Sequence, residues 1–314
     1  LWAKVFQCIL KRCKMHHPKR LYSSKDLDIT FFQNLGKYIK TIQHKSGAIP
    51  SNEDGSHDPW DHIESIMGLN FIKENESSKR AFNWLVKNQN EDGSWFAKYK
   101  HNIPIEKNKP THFGPYISVA ALHYYKIFND KDFLGELWQT IESAINFSLN
   151  LQIKNGTIPW SINIHGEIEN DFLVTGSSSI LKSIECGLAI SNILEKNNNT
   201  ERWTKSYNLL SKALKNPNGK FDILKDRKRF SMDSYYPILS GCLNEKEIKS
   251  YIDKTFSDFY VDGIGIKCVK EEPWITVAET SEFIISLMIH GNVKKSKELL
   301  LDVINTVSYT HLRA

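Results

Sequence analysis

Apolar residues return every three or four positions along most of the chain. Polar loops that carry one conspicuous glycine interrupt them at intervals. Three segments share one pattern: an aromatic, four residues, Gln, three residues, Gly, one residue, then a large apolar side chain. They are Tyr38, Gln43, Gly47 and Ile49; Trp84, Gln89, Gly93 and Trp95; and Phe147, Gln152, Gly156 and Ile158. Apolar residues at helical spacing, such as Ala81, Trp84 and Leu85, precede each Gln. The Gly then supplies the positive φ that ends a helix. A loop follows, and then a second, more apolar helix. These second helices are predicted to begin near Asp61, Tyr116, Ser177, Asp233 and Thr276. The last two follow degenerate repeats at Gly219-Lys-Phe221 and Gly263-Ile-Gly265, and an amphipathic helix near 293–306 has no partner.

The count is five hairpins and one half. Polar first helices suit an outer ring, and apolar second helices over 117–128 and 179–194 suit an inner one. The expected fold is therefore all-α: an α/α toroid of about five to six helical hairpins, truncated at its C-terminus. The competing arrangement is an open solenoid of the same hairpins.

Composition changes this picture little. The chain has 314 residues, 40% hydrophobic and 25% charged, with a net charge of +5. No dense Lys/Arg block stands out, which argues against a nucleic-acid partner. Five widely spaced cysteines without a C-x-x-C pair point to reduced thiols and a cytoplasmic protein. No run of about 18 apolar residues is present to span a membrane. Residues 1–22 read as a basic amphipathic helix, with Trp2, Val5, Phe6, Ile9 and Cys13 on one stripe among Lys4, Lys11, Arg12 and Lys14. Such a helix packs as a terminal element or lies on a membrane surface. Residues 23–307 form the toroid. The tail 308–314 resembles a translated sequencing adapter, and the chain starts at Leu1 rather than Met.

The segment from Lys79 to Trp95 resembles the QW motif of squalene cyclases, with Arg80, Ala81, Trp84, Leu85, Gln89, Gly93 and Trp95 filling its places. The chain thus resembles the terpenoid cyclase/protein prenyltransferase α/α-toroid superfamily over most of residues 30–306. That resemblance implies the toroid, and a prenyltransferase- or cyclase-like enzyme acting on an isoprenoid or other lipid. Departures are clear: there is no Asp-x-Asp-Asp or Asp-Asp-x-x-Asp motif. Cys268 follows Asp262 at the wrong spacing for the family's zinc site, so neither a metal nor a cofactor is expected. A looser resemblance to (α/α)6 glycosidases implies a second reading, a carbohydrate-active hydrolase or lyase. A third is a non-catalytic binding toroid.

The repeat also locates the chemistry. In each hairpin the loop before the inner helix falls on one face of the ring, and those loops hold the unusual residues. Asp61 and Asp233 each lie 14 residues after their repeat Gly. The expected catalytic residues are Asp58, Asp61, Asp233, Glu279 and Glu282. Trp60, His62, Glu64, Tyr116, Tyr235, Tyr236 and Trp274 are expected to bind substrate. Two carboxyl groups across a cavity act as acid and base once their surroundings separate their pKa values. Aromatic faces stabilise a cation or stack on a sugar. The plainer alternatives are that Asp61 and Asp233 cap or charge-stabilise their helix starts, and that Trp60 and Trp274 are core. The deciding measurement is whether these acids converge in one pocket, and whether its walls are apolar or polar.

Overall fold

A computed structural model describes residues 29–311, with side chains over 30–305. The helix expected over 1–22 and the last three residues of the tail lie outside the described residues. The fold is an all-α toroid of paired helices. Among the described residues, six outer helices are α1 (Ile29–Ile42), α3 (Asn75–Asn88), α6 (Trp138–Asn150), α8 (Thr200–Lys215), α10 (Glu245–Phe259) and α12 (Val293–His311). Five inner helices are α2 (Pro59–Phe71), α4 (Ile117–Phe128), α7 (Val174–Leu194), α9 (Met232–Ser240) and α11 (Val277–Ile289), and a short α5 (Lys131–Glu136) precedes α6. The inner helices pack side by side in the order α2, α4, α7, α9, α11, each backed by outer helices. This is the ring of five hairpins and one half that the periodicity predicts. One difference is that α12 continues to His311, into the segment set aside as a foreign tail.

The two helix classes follow from their residues. In α4 every side chain from Ile117 to Tyr124 is buried, because it meets a neighbour in the inner ring on two sides and an outer helix behind. In α3 only one stripe is buried, with Ala81, Phe82, Trp84 and Leu85 inward and Arg80 on the other face. Short antiparallel ribbons decorate the loops: β1 (Ser56–His57), β2 (Lys98–Lys100) and β3 (Ile103–Glu106) form one sheet, and β4 (Lys109–Pro110) pairs with β5 (Ser161–Ile162). Helical periodicity says nothing about them, since each is too short to show alternation.

The repeated Gln and Gly are the joints of the ring. The Gln89 side-chain amide donates to the carbonyl of its own Gly93 at 3.0 Å, and to Thr140 of the next outer helix at 3.0 Å. Gln43 bonds Gly47 and Ser77, and Gln152 bonds Gly156 and Ser206, in the same way. Three residues along each receiving helix, the backbone touches the glycine. A Cβ on Gly47, Gly93 or Gly156 would lie 2.0, 2.3 or 2.4 Å from the carbonyl oxygen of Arg80, Ser143 or Leu209. The pattern is thus a device for docking one hairpin on the next. Where it degenerates the contact is lost: nothing lies within 4 Å of a Cβ on Gly219.

Candidate active site

All five inner helices start at the same mouth of the ring, so their first turns bring the site residues together. Asp58 caps α2, accepting the Asp61 amide at 2.8 Å, and Pro59 opens the helix with its φ already set. Thr276 caps α11 in the same way, accepting the Glu279 amide at 3.2 Å. Because Asp58 and Thr276 supply the caps, Asp61 and Glu279 hold the third helical position of α2 and α11 without capping, and the Glu279 carboxyl is met by the Cys268 thiol. Glu64 and Glu282 come three residues later, about 4.5 Å deeper. The two helices therefore carry the same pair of acids in the same register, in two tiers.

The lower tier is held by tyrosines. Tyr235 donates to Glu282 at 2.6 Å, and Tyr236 donates to its other oxygen. Tyr116, at the start of α4, donates to Glu64 at 3.3 Å. Trp60 stacks on Tyr116 at 4.5 Å and meets His112 at 5.4 Å and Tyr236 at 6.0 Å. So Trp60, Glu64, Tyr116, Tyr235, Tyr236 and Glu282 form one assembly at the centre of the ring. Trp60 joins its two apolar clusters as well.

Electrostatics shows how close these acids are. Burial, then the charges of Glu282 and Asp61, pushes the Glu64 carboxyl well above the ordinary range. Burial raises Glu282 to about 7 despite the two tyrosine hydrogen bonds, and Glu279 and Asp61 add to the rise. Asp58 is raised to about 6, by burial first and by Asp61 second. A carboxyl group whose pKa is raised in the folded state stabilises the fold at pH below its unfolded value and loses that contribution as pH rises through the folded one. The wild-type melting temperature should therefore fall between about pH 4.5 and 7. Glu282→Gln should flatten that fall in a thermal-melt series; an unchanged slope would mean that Glu282 does not titrate there.

Asp233 stands beside this assembly. Its carboxyl is not used as a cap; instead it accepts from Thr175 of α7 at 2.5 Å, and burial raises its pKa. With Asp58, Trp60, His112, Phe113, Thr175, Arg227, Phe230 and Met232 it lines a cleft of about 360 Å³. Two expected residues lie elsewhere. The His62 ring is a buried strut, accepting from the Ile49 amide at 3.2 Å and bonding the Ala81 carbonyl at 3.0 Å. Trp274 is 58% exposed, on the loop before α11, so it is neither core nor part of the assembly. Arg227 escaped sequence reading, because it sits in a run of charged residues that looks like a solvated loop. Its partner Asp171, 2.7 Å away, comes from the preceding hairpin. Among the described residues no group of three or more His, Cys, Asp or Glu is placed to hold a metal.

Comparison with known proteins decides between the readings. The MMP endo-(1,4)-3-O-methyl-α-D-mannosidase of Mycolicibacterium hassiacum is 33% identical over 260 residues, 83% of this chain and 71% of that one. The chain belongs to the family of that mannosidase. It is accordingly an enzyme. No family model matches the chain. Solved structures agree on the fold at low identity. The GH63 mannosylglycerate hydrolase of Thermus thermophilus, in complex with glucose, has a TM-score of 0.64 at 9% identity, covering 86% of this chain and 90% of that one. A glycosidase variant in complex with glucose gives 0.69 at 11%, covering 92% and 84%. An α-amylase from Clostridium perfringens gives 0.62 at 15%, covering 89% and 86%.

Membership in the endo-mannosidase family overturns the terpenoid cyclase/prenyltransferase resemblance and the transferase or cyclase activity inferred from it. The physical reason is that the Gln and Gly of the motif dock neighbouring hairpins and are not among the residues lining the cleft. They report the toroid, whatever chemistry it carries. The lipid substrate falls with that resemblance, and the membrane-surface helix expected over 1–22 lies outside the described residues. Among the described residues, no helix is long and apolar enough to cross a membrane.

Proposed function

We propose that this enzyme is a glycosidase that hydrolyses internal bonds of an α-(1,4)-linked mannose chain carrying 3-O-methyl groups. The observation that carries this reading is the matched pair of acids on α2 and α11, with their deeper members held by the tyrosine hydroxyls of the neighbouring inner helices. The relative's activity on a methylated mannan supplies the substrate class.

The Asp58–Asp61 pair acts as proton donor. Burial and the neighbouring charge of Asp61 keep a proton on Asp58 up to about pH 6. Asp61 passes it to the glycosidic oxygen as that oxygen's bond to the anomeric carbon breaks. Glu279, in the matching position of α11, takes a proton from water as the water oxygen bonds to that carbon. Glu64 and Glu282, oriented by Tyr116, Tyr235 and Tyr236, accept hydrogen bonds from ring hydroxyls. Trp60 offers a face for the sugar, and Asp233 holds a hydroxyl in the cleft. The test is incubation of the purified protein with (1,4)-linked 3-O-methyl-α-mannose oligosaccharides, with products read by mass spectrometry. Shorter oligosaccharides are expected; intact substrate, with unmethylated α-mannosides also uncut, would overturn the proposal.

A further inference from the structure

The loop over 216–231, between α8 and α9, divides two neighbouring cavities. It is clamped to the segment before α7 by the Asp222 amide, which donates to the Phe172 carbonyl at 2.9 Å, and by the Arg227–Asp171 ion pair at 2.7 Å. Arg227 faces the 360 Å³ cleft described above. Asp222, on the other side, faces a larger cavity of about 460 Å³ between this loop, the start of α7 and the outer helix α10. Asp233 lines both. Each space is of the size that holds a small ligand.

The larger cavity has features that the cleavage step leaves unused, besides Asp233, which it shares with the cleft. Asp222 Oδ1 and Asp233 Oδ2 are buried and have no hydrogen-bond partner. The nearest cation to Asp222, the Arg227 Nε, is 3.9 Å away, too far for a hydrogen bond. Acceptors left without donors beside a cavity are costly unless a ligand supplies the donors. Further round the wall stand Asn218, Asp226, Lys228, Ser250, Tyr251 and Lys254. Three aspartates repel an anion, while Lys228 and Lys254 offset a cation's attraction. A neutral ligand rich in hydroxyl groups fits this wall, with Tyr251 as a ring for its apolar face.

We propose that the 460 Å³ cavity is an accessory subsite holding a further sugar unit of the chain that is cut in the neighbouring cleft, with Asp233 touching the units on both sides. This rests on the glycosidase reading. It predicts that the enzyme prefers chains long enough to reach past Asp233.

The experiment is a ladder of 3-O-methylated α-(1,4)-mannose oligosaccharides of increasing length, with kcat/KM measured for wild type, Ser250→Trp and Lys254→Ala. Ser250 and Lys254 are exposed on α10, so neither change enters the core. Wild type should gain about tenfold in kcat/KM at the length that fills the cavity, the worth of one hydrogen bond to a charged group. Ser250→Trp, which plugs the cavity, should bring the long-to-short ratio close to one, and Lys254→Ala should lower it. A wild type that cuts all lengths equally, or a folded Ser250→Trp that keeps the length preference, overturns the subsite and leaves the glycosidase reading standing. A wild type that cuts no α-mannoside removes both.

Discussion

Asp61→Asn is expected to lower turnover of the methylated mannan chain by about a thousandfold, within the range for losing a positioned proton donor. Asn keeps the shape of the side chain and its place in the first turn of α2, so the fold should hold. Two small effects on stability oppose each other. The helix start loses a favourable negative charge. Asp58, Glu64 and Glu282 meanwhile lose a neighbour that pushes their pKa values up. The melting temperature should therefore move little while kcat collapses. The pH profile should change as well: without the charge of Asp61, Asp58 ionises at lower pH, and any residual rate should decline at lower pH. Steady-state kinetics from about pH 4 to 8, spanning the ordinary and raised carboxyl values, would check this. A variant within about tenfold of wild type at its optimum would take Asp61 out of the chemistry and place the donor elsewhere in the cluster.

Much of the architecture behind that expectation was legible in the sequence. Inner-helix starts expected near Asp61, Tyr116, Ser177, Asp233 and Thr276 are found at Pro59, Ile117, Val174, Met232 and Val277. Apolar periodicity and a glycine at fixed spacing carry that information in any one copy. The same spacing brought the acids to one mouth, because a repeat fixes which face each loop occupies. Three things were out of reach. The identity of the cap was one: Asp58 and Asp61 both suit a helix start, and only geometry shows that Asp58 takes the amide. Arg227 was another, since its place depends on Asp171, 56 residues away. The third was the choice of chemistry: the looser likeness to (α/α)6 glycosidases held the reading that the mannosidase relative supports, but no residue ranked it above the cyclase one. A motif that docks hairpins recurs wherever hairpins must dock, so its likeness to squalene cyclases spoke for the ring and misled about the reaction. Glu64 shows the same limit more finely. Its helical position was clear, but its pairing with Tyr116 and Glu282 depends on how three helices meet.

Gly93→Ala should be the most destabilising single-methyl change in the repeat that carries Trp84 and Trp95. Two costs add there. Gly93 has a φ of +89°, where an L side chain is strained by about 1–2 kcal/mol. The new Cβ would also lie 2.3 Å from the Ser143 carbonyl oxygen and 2.6 Å from its carbon. Both are backbone atoms of α6, so relief requires the outer helix to move. Such overpacking costs about 1–3 kcal/mol, and the movement stretches the two bonds from Gln89 that join the hairpins. A total of about 4 kcal/mol is expected from chemical denaturation. Gly166→Ala is the control: its φ is +82°, but nothing lies within 4 Å of the added atom. It should show the backbone cost alone, about 1–2 kcal/mol. The difference between the two variants measures the close approach of neighbouring hairpins. Equal losses would mean that the glycine serves only to close the turn from Asn90, past the end of α3 at Asn88, and that the Gln89 bonds hold the ring without it. The damage should also reach the site, because Trp95 packs on Gly114, at the turn that places Tyr116 against Glu64. Gly93→Ala should thus lower activity even where the protein stays folded, while Gly166→Ala should not.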